Sequence, residues 1–362
     1  MLKNLIIFST FLIVASILGC GPQEKYVTLN INAVKSGSTQ SDMDMAYKFI
    51  SNIRNPENTI IIYDASGSML WPTSTNGKPR YKTAIESFNK FVDKINPKNN
   101  VGLLVYGSNS DSGIYHGNVQ NASLATQSCN NDIETVVSLS KFDQKKYDSA
   151  LAKFSNANAY KGDTPIGNAI MKAANILKDV KGNRKHIILI TDGEEECYGK
   201  VKGAISPTSA IKFASDNNIR VSIVAFGIGK GKNAVTLPDA KKTLQKLKNL
   251  TTGVFVQAAS GEELLDALIR QELDNFPFNI IDNKGVIIAQ ASIGTTARIN
   301  IAPYYFTDFT KIKLTISAVG EKTFTKNIAI TPSQSNYNIY LGFRSDNDID
   351  PIFEPANLLV NN

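Results

Sequence analysis

The chain has 362 residues, 42% hydrophobic and 20% charged, an ordinary globular balance that excludes a disordered or fibrous chain. That length suggests two domains, or one domain with appendages, and it can bury a core without disulfide stapling. Lys and Arg total 39 against 32 Asp and Glu, a net charge of +7, far weaker than the clustered basic stripe of a nucleic-acid binder. Two histidines argue against a His-rich zinc site, and three cysteines are too few for a disulfide-built scaffold.

Met1-Leu2-Lys3-Asn4 is a short cationic start, followed by an apolar run from Leu5 to Leu18. The run is too short to span a bilayer comfortably and reads as a secretion signal. Ile17-Leu18-Gly19-Cys20 resembles a bacterial lipobox. That resemblance implies removal of residues 1–19, lipidation of Cys20 and a place in the bacterial cell envelope, in the outer membrane where there are two. A plain signal peptide with an incidental cysteine is the alternative. The mature chain holds no apolar run long enough to cross a bilayer, so the membrane contact expected is the lipid anchor alone. Export permits disulfides, and with Cys20 acylated, Cys129 and Cys197 remain. They either pair, contributing roughly 4 kcal/mol in the chain-entropy model, or stay as two buried thiols.

Residues 20–57 read as a tether, with Gly37-Ser38-Thr39-Gln40-Ser41 as flexible filler and local structure at Tyr26–Ala33 (strand) and Asp42–Ile50 (helix). From 58 to 274 apolar strands alternate with amphipathic helices. Strands are predicted at Ile60–Tyr63, Val101–Tyr106, Ile133–Leu139 (near an edge), His186–Ile190, Arg220–Phe226 and Gly253–Gln257. Helices are predicted at Pro79–Ile95, around 143–154 and 165–179, and at Pro207–Asn217, Asp239–Leu250 and Gly261–Leu273. Alternating helices and uncharged strands indicate an α/β fold, a doubly wound, mostly parallel sheet covered on both faces. Residues 275–344 switch to period-two segments, giving a small C-terminal antiparallel β-domain. Residues 345–362, with Asp346, Asp348, Asp350 and Glu354, read as a mobile acidic tail. The Asp spacing there could hold Ca²⁺, but no glycine turn or downstream Glu completes such a loop.

Directly after the first buried strand comes Asp64-Ala65-Ser66-Gly67-Ser68. Gly162-Asp163-Thr164-Pro165-Ile166-Gly167 precedes a helix, and Thr191-Asp192-Gly193 leaves another strand at its carboxyl end. Open α/β sheets bind ligands beyond the carboxyl ends of their strands. Three loops thus deliver two Asp, two Ser and a Thr to one crevice. Turns and helix caps account for any one loop, but not readily for three.

At these residues the chain resembles a von Willebrand factor type A (VWA) domain with an intact metal-ion-dependent adhesion site, over about residues 58–272. The resemblance implies that Asp64, Ser66, Ser68 and Thr164 are metal ligands, with Asp192 binding directly or through water. The segments Ser128–Glu134 and Thr191–Cys197 look like a secreted bacterial branch, which supports the Cys129–Cys197 pairing. The donors suit Mg²⁺, a hard ion wanting six oxygens, with Mn²⁺ or Ca²⁺ as substitutes. One position left open could be filled by an Asp or Glu of a protein or matrix ligand. Trp71, the single tryptophan, either packs on the first helix or is an exposed contact residue; Asp163 and Glu194 complete the ligand-binding candidates. Glu194-Glu195-Glu196 would repel an acidic partner if aimed into the crevice; the alternatives are a solvated face and a secondary cation site.

The function expected is binding without catalysis, by an envelope lipoprotein. A regulatory or accessory subunit of a membrane assembly is the alternative. A metal-dependent hydrolase is more remote: His186 begins the strand that ends at Thr191, far from the crevice, which leaves only His116, unconstrained in a loop, to keep that option open. Gly227-x-Gly229-x-Gly231 lacks a dinucleotide fingerprint. The lysines at 241, 242, 246 and 248 fall on the solvated side of an amphipathic helix, so no nucleic acid is expected as a partner.

Overall fold

The computed structural model describes residues 26–32, 56–73, 77–115, 118–182, 184–193, 195–227, 253, 255–273, 277–281, 285–292, 296–300, 312–317, 323–328, 336–340, 343–345, 348–349 and 352–355. The chain divides into two units: Ile50–Asp274, and Met1–Phe49 together with Asn275–Asn362. In chain order the first strands are β1 (Tyr26–Asn32), β2 (Asn58–Asp64), β3 (Asn100–Tyr106), the short pair β4 (Ile114–Tyr115) and β5 (Asn118–Val119), β6 (Ile133–Lys141), β7 (Lys185–Thr191), β8 (Ile219–Phe226) and β9 (Phe255–Ala258). Helices among the described residues are α1 (Arg80–Val92), α2 (Ala122–Asn131), α3 (Gln144–Lys153), α4 (Ile166–Lys178), α5 (Pro207–Asp216) and α6 (Gly261–Leu273).

In the Ile50–Asp274 unit six strands form one sheet in the order β6-β3-β2-β7-β8-β9. All neighbours are parallel except β6, which runs antiparallel to β3 at the edge. β2 is central and wholly buried, which its uncharged, β-branched run Thr59–Ile62 suits. Period-two alternation sends its residues to opposite faces. Ile60 and Ile62 join Leu104, Ile187 and Leu189 in one core with Ile166, Ile170 and Leu177 of α4 and Ala210 and Ala214 of α5. Tyr63, on the other face, stacks on Phe88 of α1 with ring centroids 5.9 Å apart. Each such fully buried side chain contributes about 1.5–3 kcal/mol. From β2 the sheet grows through β3 in one direction and through β7 in the other, so the β2–β7 gap is a topological switch point. Asp64 and Thr191 end these two strands there.

α2 was not foreseen. With Leu124 as its one large aliphatic residue it shows no apolar period; it starts because Asn121 Oδ1 accepts from the amides of Ser123 (3.0 Å) and Leu124 (3.1 Å). Its Cys129 is bonded to Cys197, the pairing expected from the sequence over two free thiols.

The second unit holds two four-stranded sheets. β10 (Pro277–Ile281), β11 (Ile287–Ser292), β13 (Ile312–Ser317) and β14 (Thr323–Ile328) form the antiparallel sheet β11-β10-β13-β14. β12 (Thr296–Asn300), β15 (Asn336–Tyr340) and β18 (Ile352–Pro355) join β1 in the order β12-β1-β15-β18, and β16 (Phe343–Ser345) pairs β17 (Asp348–Ile349). This corrects two expectations. The strand expected at Tyr26–Ala33 forms, but the tether at 20–57 is no simple linker, because Tyr26–Asn32 is paired on both sides, antiparallel to β12 and parallel to β15. Among the described residues of 275–344 the strands that pair with one another run antiparallel, as expected. Ile352–Pro355 pairs with β15, so that part of the acidic tail is a strand. The reason is the same at both ends: a strand with an apolar face, here with Leu29 buried, leaves its main-chain donors and acceptors unmatched unless it joins a sheet. The expected signal at 1–19, Cys20, the helices at 42–50 and 239–250, His116, Glu194, Gly229, Gly231, the lysines 241–248, and Asp346 and Asp350 lie outside the described residues. No helix among the described residues is long and apolar enough to cross a membrane.

Candidate metal centre

Each site loop is tied to the next by its main chain. After β2 the Ser66 amide donates to Asp64 Oδ1 (2.8 Å), which curls the loop back over the strand end. The Gly67 amide donates to Gly162 O (3.1 Å), joining the first loop to the second. Beneath both lies Gly107, whose carbonyl accepts from Lys161 (3.2 Å) and Gly162 (2.9 Å). Gly107 has φ +76°, and a Cβ there would lie 2.8 Å from Ser66 N. Only glycine fits this approach.

The oxygens meet above the switch point. Ser66 Oγ and Ser68 Oγ are 3.0 Å apart, and Ser68 Oγ donates to Asp192 Oδ1 at 2.7 Å. Thr164 Oγ1 and Ser68 Oγ both face the space beside Gly193, at 3.4 and 3.6 Å from where a Cβ would stand. Asp64, fully buried, accepts at Oδ2 from Thr191 Oγ1 (2.6 Å), and Thr191 Oγ1 in turn accepts from Tyr106 OH (3.1 Å). The donors are all hard oxygens, which fits Mg²⁺, Mn²⁺ or Ca²⁺ rather than zinc. Adjacent corners of an octahedron with 2.0–2.1 Å bonds lie about 2.8–3.0 Å apart, close to the two hydroxyl spacings above. The set rests on two carboxylates and three hydroxyls; among the described residues no three His, Cys, Asp or Glu side chains form a metal-holding group.

Arg80 was missed by the sequence reading. Its Nη1 pairs with Asp192 Oδ2 at 2.7 Å, both side chains buried, while its Nε has no hydrogen-bond partner. The signal was present: a cation as the first residue of α1 opposes the helix dipole and asks for a specific partner. Burial and Asp64's charge raise the Asp192 carboxyl, against Arg80 and Ser68, which lower it. Arg80 also lies over Trp71, 5.7 Å from the ring centroid. Trp71 itself is 39% exposed, so it both packs against the first helix's leading residue and presents surface.

Three other expectations change. Asp163 is fully buried, and its carboxylate accepts from Ser112 Oγ and from the amides of Gly113 (3.1 Å) and Ile114 (3.2 Å). It builds the loop ahead of β4, so it is not available as a ligand-binding group. Glu195 and Glu196 do not form a solvated face. Glu195 accepts from Gly167 N (2.8 Å) at the start of α4 and from Cys197 N (2.9 Å) and Tyr198 N (3.0 Å); burial raises its carboxyl, against those three amides. Glu196 Oε2 accepts from Thr164 Oγ1 at 3.2 Å. Burial, with Asp163's charge next, pushes its carboxyl up to about 7. His186 pairs in register with Thr59, at the far end of β2 from Asp64. Arg220 Nη2 donates to its Nδ1 (2.9 Å), so Nε2 carries the proton toward Ser222 Oγ (2.9 Å). Arg220 and Arg184 both pair with Glu57 there. That histidine is a structural group.

An open, doubly wound sheet whose switch-point crevice is lined by hydroxyls and carboxylates defines the class. The chain belongs to the von Willebrand factor type A domain family, which matches residues 58–269. Among solved structures it is similar to BatB, a conserved hypothetical protein of Bacteroides thetaiotaomicron, at 20% identity and a TM-score of 0.42, over 59% of this chain and 96% of that one. An aerotolerance-related membrane protein of Bacteroides fragilis is 18% identical with a TM-score of 0.42, over 60% and 98%. The pilus adhesin SpaC of Lactobacillus rhamnosus GG is 13% identical with a TM-score of 0.43, over 76% and 38%. These likenesses concern the fold. No curated protein matches the sequence.

Proposed function

We propose that this is a bacterial envelope lipoprotein, anchored through Cys20, whose VWA domain captures a protein or matrix ligand through a divalent cation and does not catalyse. Asp64, Ser66, Ser68, Thr164 and Asp192 hold the ion, preferably Mg²⁺, with Mn²⁺ or Ca²⁺ able to replace it. An acidic side chain of the ligand completes its coordination. The observation that carries this reading is the convergence of three loops on hydroxyl and carboxylate oxygens, Ser68 Oγ lying 3.0 Å from Ser66 Oγ and 2.7 Å from Asp192 Oδ1 while Thr164 Oγ1 faces the same space beside Gly193. The ion supplies a positive anchor for a carboxylate. Asp64 supplies charge from beneath, the two serines and Thr164 supply neutral oxygens, and Arg80 holds Asp192 in place.

Calorimetric titration of Mg²⁺ and Mn²⁺ into the soluble form beginning at Gly21, beside Asp64→Ala and Thr164→Ala, tests it. Saturable one-site binding in the parent, lost in both folded variants, is expected. Absence of binding in a folded parent sinks the proposal.

A further inference from the structure

Glu196 is fastened to Thr164 at both ends. Its amide donates to Thr164 O (3.1 Å) and its carboxylate accepts from Thr164 Oγ1 (3.2 Å). Glu195, its neighbour, caps main-chain amides; Glu196 instead reaches one of the proposed ligand hydroxyls. It does not converge with Asp64 and Asp192 into a three-carboxylate cage but approaches from the Thr164 side.

Charge explains what such an arm does. Asp64 and Asp192 bring two negative charges, and Arg80 offsets one of them at 2.7 Å. A divalent ion among these three groups leaves a surplus of one positive charge in a buried place, where unbalanced charge is costly; the buried carboxylate of Asp163 nearby is already spent on Ser112 and the amides of Gly113 and Ile114. One further carboxylate removes it, and Glu196 already lies within hydrogen-bond distance of Thr164. We infer that Glu196 is an internal carboxylate arm of this centre: it strengthens the hold on a divalent ion and fills the position that an acidic ligand must take. The inference rests on the metal reading above and adds its regulation: ligand capture is an exchange of one carboxylate for another. An acidic group displaces Glu196 at little electrostatic cost, whereas a neutral or basic ligand gains nothing from the exchange.

The test is Mn²⁺ titration by calorimetry on the chain from Gly21, as parent, Glu196→Gln, Glu196→Asp and Asp64→Ala, each with and without excess acetate. Thermal unfolding by circular dichroism confirms folding. Loss of even an outer-shell partner of a metal costs 10–100-fold in affinity, so removing a carboxylate that fills a coordination position should make Glu196→Gln bind Mn²⁺ at least about tenfold more weakly. Acetate should restore much of that loss in Glu196→Gln while changing the parent little. Glu196→Asp, which keeps the charge on a shorter arm, should fall between the two, and it serves alone if the glutamine variant does not fold. Equal or tighter binding by Glu196→Gln, with acetate acting alike on variant and parent, overturns the inference and leaves the metal reading standing if Asp64→Ala still abolishes binding. A folded parent that binds no Mn²⁺ overturns both.

Discussion

Cys129 and Cys197 close a loop of 68 positions that contains β6, α3, α4 and β7, and with them Thr164 and Asp192. In the chain-entropy model a loop of that length restrains the unfolded chain by about 4 kcal/mol. Both sulfurs are fully buried in a small cluster with Ile114 and Ala125, so removing the bridge also loosens the segment that follows Asp192. For a domain of this size each kcal/mol moves the midpoint by about 2–4 °C. The double variant Cys129→Ala/Cys197→Ala should therefore unfold roughly 8–16 °C below the parent by calorimetry at matched pH. The signature is in the singles: because either substitution destroys the bridge, each alone should cost nearly as much as both, a coupling that independent sites do not show. In the form beginning at Gly21, a thiol reagent under denaturing, non-reducing conditions should find no free thiol. Two titratable thiols, or singles that sum to the double, would refute the reasoning.

Residues 56–274 alone should unfold cooperatively by circular dichroism, because β1 pairs with β12 and β15 of the other unit; residues 275–362 without Tyr26–Asn32 should not. A folded 275–362 fragment would show β1 to be dispensable. Gly107→Ala should destabilise by about 2–3 kcal/mol, since it combines a left-handed backbone with a Cβ 2.8 Å from Ser66 N. Denaturant midpoints measure this, and an unchanged midpoint would mean that the two site loops yield freely.

What the sequence revealed and what it withheld divide along range of interaction. The runs Ile60–Tyr63 and His186–Ile190 carry no acidic or lysine side chain and are rich in β-branched residues, so the sheet was legible, as was the α4 helix from Ile166, Ile170 and Leu177 on one stripe. Asp64, Ser66 and Ser68 were legible because they lie within five residues of a strand end. β1 was legible as a strand but not as part of a sheet, because its partners lie some three hundred positions away, as the Asn30–Asn338 side-chain bond shows, and period-two apolarity alone cannot say whether a short strand has a sheet to join. α2 stayed hidden because an Asn cap and a disulfide place it, not an apolar face. The partners of Arg80 and Glu196 stayed hidden for a more telling reason. Neither residue belongs to the Asp-x-Ser-x-Ser loop, yet one offsets the charge of Asp192 and the other holds Thr164. The motif fixes which oxygens converge. The net charge of the crevice, on which the proposed hold on a cation and the proposed exchange with an acidic ligand depend, comes from side chains that only the fold brings to it.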